Sequence, residues 1–513
     1  MGPEGVGSMN GCALRLGTVV LLAALSAAPV GAATRHVPAT YPTIAAGLSA
    51  ASAGDTVLVA CGTYHEHALL MKSGVTLTSE TGDPSCVTID AEGLGRVMQC
   101  QGVSAATTIQ GITFRNGHIS GLSQFFWGGG ILCSAGANPQ ILNCTFDSNV
   151  AQFGFGGGLS CIDSSPTVSN CTFTSNQAAG NDSTFSNGGA VNCLRSYAQF
   201  TGCDFENNIS IGIGGAMYLD TSPVLLQSCE FRNNSAEFRA GAAYCVLGNV
   251  LGDATIEDCD FEDNTSGGVA GAVMCDLAAS PVISDCTFRG NKAAQGGGGL
   301  VLKRSSSPSV TNVAFIENNG EGGGGGAVGF DATSEPHFGH CMFLRNYSMD
   351  GGALGCGGSG GFDNCTFEAN SASFRGSFLW VQDASPVFNN CIVANQPAGM
   401  LIWCYEVIGL PFQPKFNCTD IYGNASGDWS WDCIEDEASA NGNFSADPRF
   451  CDPTTDNYTL DGGSPCLAGH DPASPGCGLI GAYGQGCGTT ATLPATWGNV
   501  KARFGPVARH TYR

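Results

Sequence analysis

Apolar residues along the middle of the chain come in short alternating stretches of three to five, each broken by Gly, Asn or Ser-Pro. One pattern returns roughly every 27 residues, within the range of solenoid repeats. Its first half reads Cys144-Thr145-Phe146-x-x-Asn149, then Cys171/Phe173/Asn176, Cys203/Phe205/Asn208, Cys229/Phe231/Asn234 and Cys259/Phe261/Asn264. It continues through Cys286/Phe288/Asn291, Val313/Phe315/Asn318, Cys341/Phe343/Asn346 and Cys365/Phe367/Asn370, and decays at Cys391 to Asn395 and Cys418 to Asn424. The second half is Gly-Gly-small-aliphatic-x-Cys, as in Gly128 to Cys133, Gly156 to Cys161, Gly188 to Cys193 and Gly351 to Cys356. A period of two with no long apolar run predicts short strands, not helices.

Strands this short cannot bury a face alone. Stacked coil on coil at about 4.8 Å, they enclose one long core and align equivalent residues in columns. Parallel crossovers are almost always right-handed. The pattern therefore predicts an all-β, right-handed parallel β-helix of about a dozen coils over residues 34–425. Phe146, Phe173, Phe205 and their equivalents should stack inward as offset rings. The Asn three residues later sits at a turn, where it tolerates a left-handed conformation and its amide can bond to the next coil's Asn. An interior Asn ladder is expected, the alternative being asparagines on surface turns.

Cysteines fall into two columns, one running from Cys144 to Cys391, the other through Cys133, Cys161, Cys193, Cys245, Cys275, Cys356 and Cys404. Val313, Leu219, Leu302, Phe330 or Trp380 fill the gaps, so the position calls for a buried hydrophobe, and a thiol serves as one. Rung spacing also exceeds the Cβ separation of about 3.8 Å that a disulfide prefers. Stacked thiols are expected in the shaft, with disulfides among Cys433, Cys451, Cys466, Cys477 and Cys487.

Both ends of a solenoid need covers against edge-to-edge association. Ile44 and Leu48, four apart, predict a short amphipathic capping helix. Residues 426–488 lose the period, gain Pro and Cys, and are expected to form an irregular stapled cap. Residues 489–513 turn basic and are expected to be a weakly structured tail, with Trp497-Gly498-Asn499-Val500-Lys501 hinting at sorting. At the start, Arg15, the apolar run Leu16 to Val30 and the small residues Gly31 to Ala33 have the layout of a secretory signal peptide, assigned to residues 1–33. The reading that follows is a secreted or cell-surface protein, with no transmembrane segment after signal removal.

Composition supports one elongated body: 75 Gly and only 12 % charged residues in 513, with no long polar linker. A net charge of −23 with only 20 Lys and Arg opposes nucleic acid and anionic lipid as partners, since both need clustered cations.

Gly189-Ala190-Val191, Gly215-Ala216-Met217, Gly326-Ala327-Val328 and Gly352-Ala353-Leu354, with the Phe-x-x-Asn series, resemble the repeats of chlamydial polymorphic outer membrane proteins among the right-handed β-helix proteins. Tyr41 to Ile44 through Gly62 to Glu66 looks like the first coils of pectin-lyase-like proteins. The first resemblance implies a bacterial surface location and adhesion, although the chain lacks that family's C-terminal barrel. The second admits polysaccharide lyases, hydrolases and esterases.

Little chemistry stands out. There is no Asp-Asp pair of the kind a glycosidase cleft would use. Asp163, Asp220, Asp276, Asp331 and Asp383 recur after the second strand, and turn capping is the expected role. As acids or metal ligands, with Ca²⁺ as the one cofactor to consider, they would serve the enzyme alternative. Gly357 to Gly361 and Gly320 to Gly325 match nucleophile-elbow and dinucleotide expressions without the required helices. His65-Glu66-His67 lacks a third ligand at metal spacing, so no metal site is assigned.

Repeat lengths vary after Phe-x-x-Asn and before Gly-Gly, so insertions should emerge on one flank, where solenoids bind. They carry Phe125, Phe126, Trp127, Phe153, Phe155, Phe185, Phe238 and Phe374. Such rings can stack on sugars or anchor a protein, or fold back on the shaft. The favoured reading is a noncatalytic, adhesin-like protein that binds a polysaccharide or a cell-surface protein. A lyase or glycosidase and a structural surface-layer role are the alternatives.

Overall fold

The structure, a computed structural model, describes residues 31–488 except 122–126, 181–185, 249–250, 398, 406–411, 431–432 and 473–475. A typical coil runs through four strands: Gln140–Leu142, Thr145–Asp147, Val150–Gln152 and Leu159–Ile162. Each pairs in parallel register with its equivalents above and below, giving sheets 1 to 4 of 15, 14, 10 and 13 strands in that order along a coil. The fold is a β-helix of about fifteen turns, longer than the dozen coils expected. Sheet 1 begins with four strands, Thr34–Val37, Thr56–Val59, Thr76–Ser79 and Thr108–Gln110, that precede the Cys-Thr-Phe repeat.

The inward Phe column is continuous. Phe146 stacks on Phe173 with centroids 4.5 Å apart, and the series continues through Phe205, Phe231, Phe261, Phe288, Phe315, Phe343 and Phe367 at 4.5–5.0 Å. A second column, Phe338, Phe362, Phe388 and Phe416, grows from sheet 1 and meets the first edge to face.

The Asn ladder is interior. Asn149 to Asn370 are fully buried, and each amide nitrogen from Asn149 to Asn346 donates to the next Asn Oδ1 and to a carbonyl of the Phe strand one coil back, as Asn234 does to Asn264 Oδ1 and Phe205 O. The left-handed turn falls on the residue before it, for example Ser148 (φ 57°), Asn207 (56°) and Asn233 (55°). The buried Asn thus satisfies the backbone groups that this turn removes from sheet pairing.

Seventeen free cysteines, all buried, lie among the described residues. The second thiol column starts one coil earlier than its sequence signature, at Cys100 opposite Cys133. Register also corrects its end: Val381, not Trp380, lies opposite Cys356, and Cys404, assigned to the thiols, is bonded to Cys433. Cys418–Cys477 and Cys451–Cys487 staple the C-terminal region, Cys466 stays a free thiol, and Cys61–Cys86 closes an early coil that the spacing did not single out.

Helix α1 (Ile44–Ala50) covers the first coil with Ile44, Gly47 and Leu48. Thr43 caps it by accepting from Ala46 N, while the Glu66 carboxylate accepts from Ile44 and Ala45 N, which gives the His-Glu-His stretch a structural role. At the other end Trp429 meets Phe416 edge to face and Ile434 joins the core. Beyond that end piece the predicted cap divides: the described residues of 445–488 turn back and lie along the outside of sheet 2 instead of across the end. Outward pairs there change from Glu230/Arg232, Asp260/Glu262 and Thr287/Arg289 to Ala314/Ile316 and Met342/Leu344, which pack on Phe450, Tyr458 and Ala482. The assigned signal peptide, apart from residues 31–33, and the basic tail lie outside the described residues.

Candidate functional site: a trough on the outer face of sheet 4

Insertions between sheets 3 and 4 emerge on one flank, and their described residues fold over the outside of sheet 4. Bridges from Ile213 to Arg239 and from Arg239 to Val269 link successive insertions. Beneath them runs a row of rings: Trp127 on Phe155 at 4.4 Å, Phe155 on Tyr218 at 5.5 Å, and Tyr218 on Tyr244 at 5.7 Å. Tyr244, Met274 and Val301 are buried there with Ala240 and Ala270, a small second core outside the shaft.

The eight aromatics proposed from sequence therefore divide. Trp127, Phe153 and Phe155 are half-buried, and the Trp127–Phe155 pair belongs to the row that folds back on the shaft. Phe238 and Phe374 project, at 44 % and 64 % exposure. Phe125, Phe126 and Phe185 lie outside the described residues.

Farther along, the cover opens. The outward column of sheet 4 reads Tyr218, Tyr244, Met274, Val301, Gly329, Gly355, Trp380 and Trp403, each in register with the next. Two glycines remove the side chains for two rungs, about 10 Å along the axis. The Gly322–Gly326 turn drops toward that gap: a Cβ on Gly355 would lie 2.3 Å from Gly324 C. What remains is a trough containing a cavity of about 160 Å³, lined by Val301, Lys303, Asp331, Gln295, Gly324 and Trp380.

Its lining is mixed: glycine backbone, Val269, Val301 and Phe330 beside the polar Gln295, Lys303 and Asp331. Trp380 lines it and Trp403 lies on the next rung; among the described residues their buried indole nitrogens and the Lys303 ammonium have no hydrogen-bond partner. Arg375 spans the far end, its guanidinium 4.8 Å from the Phe374 ring centroid and 5.8 Å from that of Trp403, held by Asp350 at 2.7 and 2.9 Å. Sequence reasoning missed Trp380 and Trp403, because the first was counted as an inward replacement and the second was not singled out.

The acidic series does not form one column. Asp163 pairs with Arg195 at 2.7 and 2.8 Å, and Asp331 caps its own turn through Thr333 and Ser334 and accepts from Arg304 N. Asp220 and Asp276 end strands of sheet 4, separated by Val246 on the rung between. Asp276 is fully buried and accepts from Tyr244 Oη and from both Nε and Nη2 of Arg304, with Arg239 3.8 Å away. Burial together with this carboxylate pushes the Tyr244 phenol well above its ordinary range. Among the described residues, one cluster brings three metal-ligating side chains together, Cys61, Glu80 and Cys86, and its two sulfurs are joined to each other.

Residues 189–360 match the family described as right handed beta helix region, which agrees with the topology above: the chain is a right-handed parallel β-helix. Similar solved structures include the PL6 family alginate lyase AlyGC, with 13 % identity, 82 % of this chain, 54 % of that chain and a TM-score of 0.40. Tailspike protein 3 of bacteriophage CBA120 aligns at 11 % identity over 74 % of this chain and 59 % of that one, TM-score 0.32. PfbA, a surface adhesin of Streptococcus pneumoniae, aligns at 12 % over 72 % and 86 %, TM-score 0.32. The chain spans about half the length of the alginate lyase. No curated protein matches it in sequence.

Proposed function

We propose that this protein is an exported, surface-acting β-helix that binds an extended glycan in the trough on sheet 4 without cleaving it. The observation that carries this reading is the pair of register-matched, half-buried indoles, Trp380 in the cavity wall with Lys303 and Trp403 on the next rung. Aromatic faces stack on sugar rings, while an ammonium donor such as that of Lys303 suits the acceptor oxygens of a polysaccharide. Binding should be measured on an array of neutral and acidic polysaccharides, with product analysis with and without Ca²⁺. Trp380→Ala and Trp403→Ala should each weaken binding about tenfold, the loss of roughly 1.4 kcal/mol of stacking, and Trp127→Ala should change it little. Equal binding by wild type and both Trp variants would refute the trough as the site.

One observation favours a second reading, an enzyme. Tyr244, Asp276, Arg304 and Arg239 form a compact acid-plus-arginine cluster at the edge of the covered region. The buried phenol–carboxylate pair can pass a proton, with the two half-exposed guanidiniums supplying positive charge beside it. Product release by wild type that Tyr244→Phe abolishes would establish this reading and displace the noncatalytic one.

A further inference from the structure

The fold-back segment has an interface unlike the rest of the molecule. Strands Phe450–Asp452, Asn457–Asp461 and Gln485–Cys487 form a small sheet over the outside of sheet 2. They cover an apolar stripe of Ala314, Ile316, Met342, Leu344, Ile392 and Ala394. Two carboxylates are trapped under this cover, Glu368 and Asp420, both buried.

Their partners are neutral donors. Asp420 accepts from Ala446 N at 3.0 Å and from the Cys466 thiol at 3.3 Å, and the charged groups that act on it, Asp428 and Asp447, are negative. Glu368 accepts from Tyr458 Oη at 2.8 Å, with Asn395, Arg345 and Asp456 around it. That arginine is shared with Asp456 and Glu317, so it does not neutralise Glu368 alone. Burial pushes both carboxyls up, Asp420 to about 7. Ionising either one places a charge in a site that supplies hydrogen-bond donors but too little positive charge.

We propose that residues 445–488 form a pH-operated latch: docked on sheet 2 in acid, it lifts from the apolar stripe when Asp420 and Glu368 release their protons to solvent. The Cys418–Cys477 disulfide joins the last coil to the segment and Cys451–Cys487 holds the small sheet together, so the opened latch stays attached. Opening uncovers an apolar strip on a flank separate from the trough, so this proposal does not depend on glycan binding.

Hydrogen exchange of the full chain between pH 5 and pH 9, corrected for intrinsic exchange rates, tests the latch. Protection of the described residues of 445–488 should fall as pH rises from 5 to about 7 and level off above it, by about a hundredfold for a carboxyl moved to about 7. Shaft strands such as Asp260–Glu262 should keep theirs, and a dye for apolar surfaces should bind in parallel with opening. The Asp420→Asn/Glu368→Gln double variant should stay closed throughout. PH-independent protection of the segment, equal loss across shaft and segment, or a double variant that opens like wild type would each overturn the proposal. Should the double variant not fold, the wild-type comparison of segment and shaft decides the matter by itself.

Discussion

Replacing Asn264 by Ala should break the shaft locally and at high cost. Its Oδ1 accepts from the backbone and side-chain N–H groups of Asn234, and its Nδ2 donates to Phe231 O and Asn291 Oδ1. Alanine removes all four bonds and leaves the buried Asn234 backbone N–H without an acceptor. One orphaned buried donor costs about 1–3 kcal/mol and each of the three further bonds about 1, so the loss should be roughly 4–6 kcal/mol. Asn233, one residue earlier in the neighbouring coil, is exposed in a left-handed turn at φ 55°, and Asn233→Ala should cost only about 1–2 kcal/mol of backbone strain. Urea unfolding of the two variants gives the difference. Because coils contact mainly their neighbours, hydrogen exchange should accelerate around Phe231, Phe261 and Phe288 before it does near Phe146. An Asn264→Ala cost no larger than that of Asn233→Ala would refute the argument that the ladder carries interior backbone groups.

Three further outcomes follow from the same coordinates. Native protein should show almost no thiol reactive toward an aromatic disulfide reagent, and denatured protein about 17 from the described residues, since every free cysteine there is buried. Gly355→Ala should lower stability and weaken glycan binding together, because the added methyl would strike Gly324 and displace the turn that walls the trough; unchanged binding would separate that turn from the site. Stability should decline as pH rises from about 4 to about 7 and level off above it, because over that interval native Asp420 holds its proton while the unfolded chain has lost it. Its contribution, up to roughly 4 kcal/mol, is complete below the ordinary carboxylate range and lost above about 7. Asp420→Asn should flatten this part of the profile in urea midpoints taken at pH 5 and pH 9.

Much of the shaft was legible in the chain itself. The Cys-x-Phe-x-x-Asn spacing determines strands, turns and stacked columns, because a strand of three residues has no other way to bury one face, and equivalent residues must then meet at each rung. Thiols in place of disulfides follow from the same spacing. The first strands were legible too, but the coil count fell short, because Val57, Leu77 and Ile109 fill the interior there without the Phe-Asn signature.

The site was less legible, since a one-residue step in register reverses which side of a sheet a residue faces. Trp380 and Val381 are adjacent in sequence, and only the pairing of Val381 with Cys356 turns the indole outward. Sequence placed aromatic residues on the insertions but not their packing: Trp127 and Phe155 lie down on the shaft, while Phe374 stands in solvent. Gly329 and Gly355 become a trough only because parallel pairing brings them to neighbouring rungs beneath the Gly322–Gly326 turn. The course of the C-terminal segment was likewise decided in three dimensions. Ala314/Ile316 and Met342/Leu344 read locally as ordinary alternation, and they become a docking stripe because the coils align them with one another and with Tyr458 and Ala482, more than a hundred residues away. Local spacing determines which residues share a column, whereas contacts between columns and returning segments depend on register and on chain paths that no repeat encodes.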